Sequence, residues 1–61
     1  MEKMLKTEDV ALVLGCSIKK AYRIVKQPDF PKITIGRIYY IPEAAFENWI
    51  KKYTGKEYVL M

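Results

Sequence analysis

At 61 residues, with 51% hydrophobic and 13% aromatic content, the chain has apolar mass for one small, marginally stable domain and neither room for a second nor the composition of a disordered segment. It is too short to wrap a deep substrate cavity, which favours surface binding over enclosed catalysis. The net charge of +4 is uneven: residues 17–37 hold six basic side chains against Asp29 alone, whereas the rest holds five basic and six acidic ones.

Taken along the chain, residues 1–6 are a short lead-in, and Met4-Leu5 adds a brief strand or packs on the core. Thr7 is the expected N-cap of a first helix over about 7–14, with Glu8 and Asp9 complementing its positive end. Val10, Ala11, Val13 and Leu14 form its apolar face, and Gly15 stops it in the left-handed geometry of a C-terminal cap. Ser17 is the next N-cap, and a second helix runs to about Lys26. Gln27-Pro28-Asp29-Phe30-Pro31 cannot continue it, since proline lacks the N–H and disfavours helix just before itself. Two short helices joined by a tight glycine-containing turn are the helix-turn-helix signature.

Residues 32–41 are rich in β-branched and aromatic side chains. Gly36-Arg37 between the two apolar runs suits a type II′ turn, so a hairpin is expected over about 32–35 and 38–41. With Ile33 and Ile35 facing in, the second strand turns either Tyr39 and Ile41 inward or, one residue shifted, Ile38 and Tyr40. If Ile38 and Tyr40 lie on the outer face, they offer a protein–protein surface. Pro42 is the expected first residue of a third helix. Phe46, Trp49, Ile50 and Tyr53 fall at i, i+3, i+4 and i+7, one buried stripe, and Gly55 ends the helix. Residues 54–61 are a tail containing Tyr58-Val59-Leu60-Met61.

Several chemistries are excluded. Cys16 is the sole cysteine, read as core, and there is no histidine, so an intramolecular disulfide, His-containing zinc sites and His-based catalysis are absent. No cofactor, metal or catalytic residue is expected, and a reducing cytoplasm fits. Val13-Leu14-Gly15-Cys16 has the look of a lipoprotein cleavage site. The apolar run from Val10 to Gly15 is too short for a signal peptide and follows Glu8-Asp9 rather than a basic start. No apolar run approaches the roughly 20 residues of a membrane span.

The second helix carries the strongest functional signal. At about 100° per residue, Ile18, Ala21, Tyr22 and Val25 fall on one side, with Ile24 at its margin. Lys19, Lys20, Arg23, Lys26 and Gln27 cover the other side without one acid. Ten residues span about 15 Å, and such a helix fits a DNA major groove about 12 Å wide. Lysine and arginine neutralise phosphates and release counterions, and arginine can bond two acceptors of one guanine edge. Ser17 is either simply a cap or also a phosphate donor, and Tyr22 either packs or touches the duplex. The Gly-Arg tip can carry Arg37 into the adjacent minor groove, with Lys32 as a phosphate contact. The candidate DNA-binding set is Ser17, Lys19, Lys20, Tyr22, Arg23, Lys26, Lys32 and Arg37.

Thr7-Glu8-Asp9-Val10-Ala11, Leu14-Gly15-Cys16-Ser17, Ala21-Tyr22-Arg23, Phe30-Pro31, Ile35-Gly36-Arg37, Tyr39, Ile41-Pro42, Ala45 and Trp49-Ile50 occur in that order. This ordered set, over roughly residues 5–52, resembles the excisionase-like branch of the MerR-related winged helix-turn-helix domains. The resemblance implies a recognition helix at 17–26 in the major groove and a wing at 32–41 on the minor groove. Excisionases of this family bind and bend attachment-site DNA of mobile elements, bind cooperatively and assist an integrase. By position, Ser17, Lys19, Lys20, Arg23 and Arg37 match the family's DNA-facing sites. Lys20 stands where a small hydroxyl residue is common, Ile18 where a polar one often sits, and Ile38 and Tyr40 where basic residues are frequent.

The expected architecture is α+β: a winged helix-turn-helix of three helices with a two-stranded hairpin wing between helices two and three. One domain is expected over 1–61, with its core at about 5–53. The expected function is sequence-specific binding of double-stranded DNA by an excisionase, with a tyrosine or serine integrase and further copies on DNA as partners and no membrane. The alternative is a small transcription regulator of a mobile genetic element. A different class, a protein-interaction module that never binds DNA, would use the tail with Ile38 and Tyr40.

Overall fold

The computed structural model describes residues 2–60. A short strand β1 (Met4–Leu5) leads into helices α1 (Thr7–Leu14) and α2 (Ile18–Val25). A hairpin of β2 (Ile33–Ile35) and β3 (Ile38–Pro42) follows, then helix α3 (Glu43–Tyr53). The sheet is antiparallel with order β1-β3-β2. Leu5 pairs with Ile41, so the lead-in both adds a strand and buries Leu5. The lead-in also satisfies the start of α3: Glu43 N–H donates to the Lys3 carbonyl, and Ala44 N–H donates to a Glu2 carboxylate oxygen at 3.0 Å. A carboxylate there is favoured by the positive helix end.

The turn between α1 and α2 is built as the sequence predicts. Gly15 adopts φ +69, and the Cys16 N–H donates back to the Ala11 carbonyl. A side chain at that φ would be strained. At the α1 start the expectation changes. Lys6 is the N-cap, Thr7 is the first helical residue and is buried, and the Asp9 carboxylate accepts from the Lys6 N–H at 2.9 Å. An acid three residues on reaches back to the cap's own amide, so no hydroxyl is needed at the cap position.

The core joins Leu5, Val10, Ala11, Ala21, Ile24, Val25, Phe30, Ile41, Phe46 and Trp49. Its aromatic half is tightly arranged, with Trp49 ring centroids 4.9 Å from Phe30 and 5.0 Å from Tyr58. Several expected inward positions are turned out. Val13 is exposed, because the buried arc of so short a helix centres on Val10 and Ala11. In α2 the buried arc is Ala21, Ile24 and Val25, spaced i, i+3, i+4. Ile24 is thus central rather than marginal, and Ile18 and Tyr22 lie at the arc's edges, substantially exposed. Cys16 is half-buried and packs against the core. Pro42 ends β3 and serves as N-cap, so α3 begins one residue later than expected.

The hairpin corrects the sequence reading most. Gly36 has φ +61 and, among the described residues, no non-glycine residue has positive φ, as a type II′ turn requires. A two-residue turn fixes the pairs Ile35↔Ile38, Thr34↔Tyr39 and Ile33↔Tyr40. Paired residues share a sheet face. Once Ile41 is buried and Tyr39 leans on the core, Ile33 and Ile35 must point outward with Ile38 and Tyr40. Ile35 is 61% exposed. Of the two second-strand alternatives, the one with Tyr39 and Ile41 inward is found, and with that pairing it excludes the expected inward placement of Ile33 and Ile35.

The tail is tied down as far as it is described, with Tyr58 and Leu60 packed on the core; Met61 lies outside the described residues. The Tyr53 and Tyr58 hydroxyls both donate to the Asp29 carboxylate, Tyr58 at 2.8 Å. These bonds, Tyr53 first, hold the Asp29 carboxyl below the usual carboxylate range. Burial and then Asp29 push the Tyr58 phenol up, and Asp29 pushes up Tyr53. The clamp therefore contributes stability above the ordinary Asp value of 3.8 and loses it as pH falls through the depressed value. On the alkaline side its contribution is full below the ordinary Tyr value of 10.0 and is lost at higher pH. Asp29→Asn should melt below wild type at neutral pH, and the gap should close as pH falls below about 4. Melting curves across that range check this, and a gap that persists unchanged into strong acid would contradict it.

The three helices and the hairpin wing between α2 and α3 make an α+β winged helix-turn-helix.

Candidate nucleic-acid interface

The interface begins with the α2 cap. Ser17 Oγ accepts from the Lys20 N–H at 3.1 Å. A hydroxyl that accepts at its oxygen still has its own proton to donate, so capping and phosphate contact are compatible at Ser17. From this cap α2 presents Lys19, Lys20 and Arg23, all exposed, with Ser17 around one open depression of about 280 Å³. Neither the first turn of α2 nor the depression contains an acid. Nothing local offsets the positive potential there. Lys26 is exposed at the C-terminal end of the same helix.

Gln27 does not belong to this cationic face. It is buried, and its side-chain amide donates to the Arg23 carbonyl at 3.1 Å. The helical projection fails there because the helix ends at Val25. Lys32 is half-buried, and its ammonium donates to the Gln27 carbonyl at 3.0 Å. As placed, Lys32 closes the loop between α2 and the wing rather than reaching outward.

Arg37 stands exposed at the wing tip and lines a second cleft, of about 190 Å³. That cleft is bounded by Lys6, Thr7 and Glu8 at the start of α1, by Tyr22 of α2, and by the wing from Arg37 to Tyr39. Tyr22 both packs and remains accessible: its ring centroid is 6.4 Å from that of Tyr39, and it is 44% exposed. The structure thus gathers Ser17, Lys19, Lys20 and Arg23 in one place and Tyr22 with Arg37 in another. The two are joined through adjacent residues of α2. Lys26 and Lys32 line neither.

Lys6 and Thr7 were not legible as site residues. They lie outside the basic third of the sequence and reach the wing only because β1 pairs with β3. No local signal marks that proximity. Among the described residues no group of three or more His, Cys, Asp or Glu side chains could hold a metal ion, and no helix is long and apolar enough to cross a membrane.

A family model described as a helix-turn-helix domain matches residues 4–54. No curated protein and no solved structure matches the chain significantly. The match takes in β1, both helices of the turn, the wing and α3, and on that extent the chain belongs to the helix-turn-helix domain family.

Proposed function

We propose that the protein is a sequence-specific double-stranded DNA binder of the excisionase type, a cytoplasmic binding module rather than an enzyme. It binds and bends attachment-site DNA and assists a tyrosine or serine integrase. The observation that carries the DNA reading is the acid-free cationic face of α2, set beside a wing with Arg37 at its tip, in a chain of this family. Lys19, Lys20 and Lys26 neutralise phosphates, Arg23 reads a guanine edge in the major groove, and Arg37 enters the minor groove. Lys32 joins them only by exchanging its bond to the Gln27 carbonyl for a phosphate.

The excisionase role draws on the resemblance of the ordered sequence set to the excisionase-like, MerR-related domains. Reconstituted excision with a tyrosine or serine integrase, together with a circular-permutation assay for bending, tests it. Bending together with excision that depends on the protein is expected. Promoter occupancy with no effect on recombination would instead select the second reading, a small transcription regulator of a mobile element.

Arg23→Ala should weaken specific binding by about 1–3 kcal/mol and relax preference at one base pair. Binding to a library of duplexes checks both, and an unchanged profile would remove the base-reading role.

A further inference from the structure

We propose that the cleft between the α1 start, Tyr22 and the wing is a seat for one backbone phosphate of the duplex, held by Lys6 and the Thr7 hydroxyl, with Arg37 at its rim adding positive potential on its way to the minor groove. This rests on the DNA-binding reading above and adds residues outside the basic third of the chain.

The first observation concerns Thr7. Only 4% of this residue is exposed, and it lines the cleft, yet its hydroxyl bonds to no described residue. That hydroxyl is open to the cleft rather than sealed, since the buried side-chain polar atom without a partner among the described residues is Trp49 Nε1. Thr7 has no capping duty, because Lys6 occupies the cap position and the Asp9 carboxylate accepts from the Lys6 N–H. Thr7 therefore offers a hydroxyl donor, beside the first-turn amides at the positive end of α1.

The second observation is convergence of charge. Lys6 comes from the lead-in to α1 and Arg37 from the wing tip, and the β1–β3 pairing Leu5↔Ile41 brings these elements together. Glu8 is the one acid lining the cleft, so its charged residues sum to +1. At about 190 Å³ the cleft is some six times the roughly 30 Å³ of one water in the liquid. That accommodates a phosphate with its ester oxygens.

The third consideration is geometric. The cleft lies between α2 and the wing, the two elements assigned to a major groove and its neighbouring minor groove. A sugar-phosphate strand separates two such grooves. The gap between the two readers is therefore where that strand must pass.

Because a phosphate contact carries no sequence information, the test uses a labelled mixed-sequence duplex of about 24 base pairs, a little over two turns. Anisotropy is measured over a potassium chloride series, with thermal melts of each variant. Lys6→Gln should weaken binding about 5- to 10-fold near 0.1 M salt and reduce the log–log salt slope by about 1. Thr7→Val should weaken it about 3- to 10-fold with the slope unchanged, while Thr7→Ser retains wild-type affinity. Glu8→Gln should strengthen binding about 2- to 3-fold, by removing the opposing charge. Should Thr7→Val fail to fold, Lys6→Gln and Glu8→Gln decide. Wild-type binding with Lys6→Gln and Glu8→Gln both indifferent overturns the cleft alone. Wild-type protein that does not bind the duplex overturns the DNA reading itself.

Discussion

Trp49→Ala is expected to remove most of the stability of the domain. Trp49 is buried at the centre of the aromatic half of the core, with ring centroids of Phe30, Tyr53, Tyr58 and Phe46 between 4.9 and 6.1 Å away. Truncation of a buried tryptophan costs about 3–5 kcal/mol, from lost transfer free energy and the cavity left behind. At about 0.05–0.15 kcal/mol per residue, a chain of this length has roughly 3–9 kcal/mol in total. The loss reaches further than α3. Tyr58 packs on Trp49 and holds Asp29, so the tail and the loop before the wing lose their anchor together. Chemical denaturation monitored by far-ultraviolet circular dichroism measures this. A midpoint equal to that of wild type would contradict the assignment of Trp49 to the core.

The sequence is most informative where punctuation is local. Gly15, Ser17 and the Pro28–Pro31 stretch bracket α1 and α2, because each acts through its own backbone or through a neighbour within a few residues. Gly36-Arg37 places the turn for the same reason. The faces are less legible. Ile33 and Ile35 read as inward only while the two strands are considered separately; the turn couples them, and the burial of Ile41 on the opposite face settles the matter. Ile18 and Val13 read as core because hydrophobicity and helical phase cannot say how much of a two-turn helix its neighbours cover.

The same division runs through the interface. Lys19, Lys20 and Arg23 are legible because one helix displays them at fixed angular spacing, with Ser17 at its start. Lys32 is less so, because its ammonium finds a carbonyl supplied by the chain's own loop. Lys6 and Thr7 are not legible at all, since their nearness to Arg37 is produced by β1 pairing with a strand more than thirty residues away. The outward Ile33, Ile35 and Ile38 form an apolar outer face of the wing, opposite to Tyr39 and Ile41. On the proposed DNA-binding reading, basic contact from the wing is accordingly concentrated at Arg37.

The largest effect on binding should come from salt. With Lys19, Lys20, Lys26 and, once it leaves the Gln27 carbonyl, Lys32 each neutralising one phosphate, and Arg37 displacing a counterion from the minor groove, the dependence of log affinity on log salt has a slope of roughly −4 to −5. Between about 50 and 200 mM salt, affinity then falls by a factor of several hundred. A Lys6 seat on a further phosphate steepens the slope by about 0.9. Arg23 directed at a base edge contributes to preference among sequences more than to this slope.

That titration tests most directly whether α2 and the wing grip one duplex together. A steep slope that becomes shallower by about 1 when either Lys19→Gln or Arg37→Gln is introduced is the predicted result. An affinity that hardly responds to salt, or a slope that both variants leave unchanged, would contradict it.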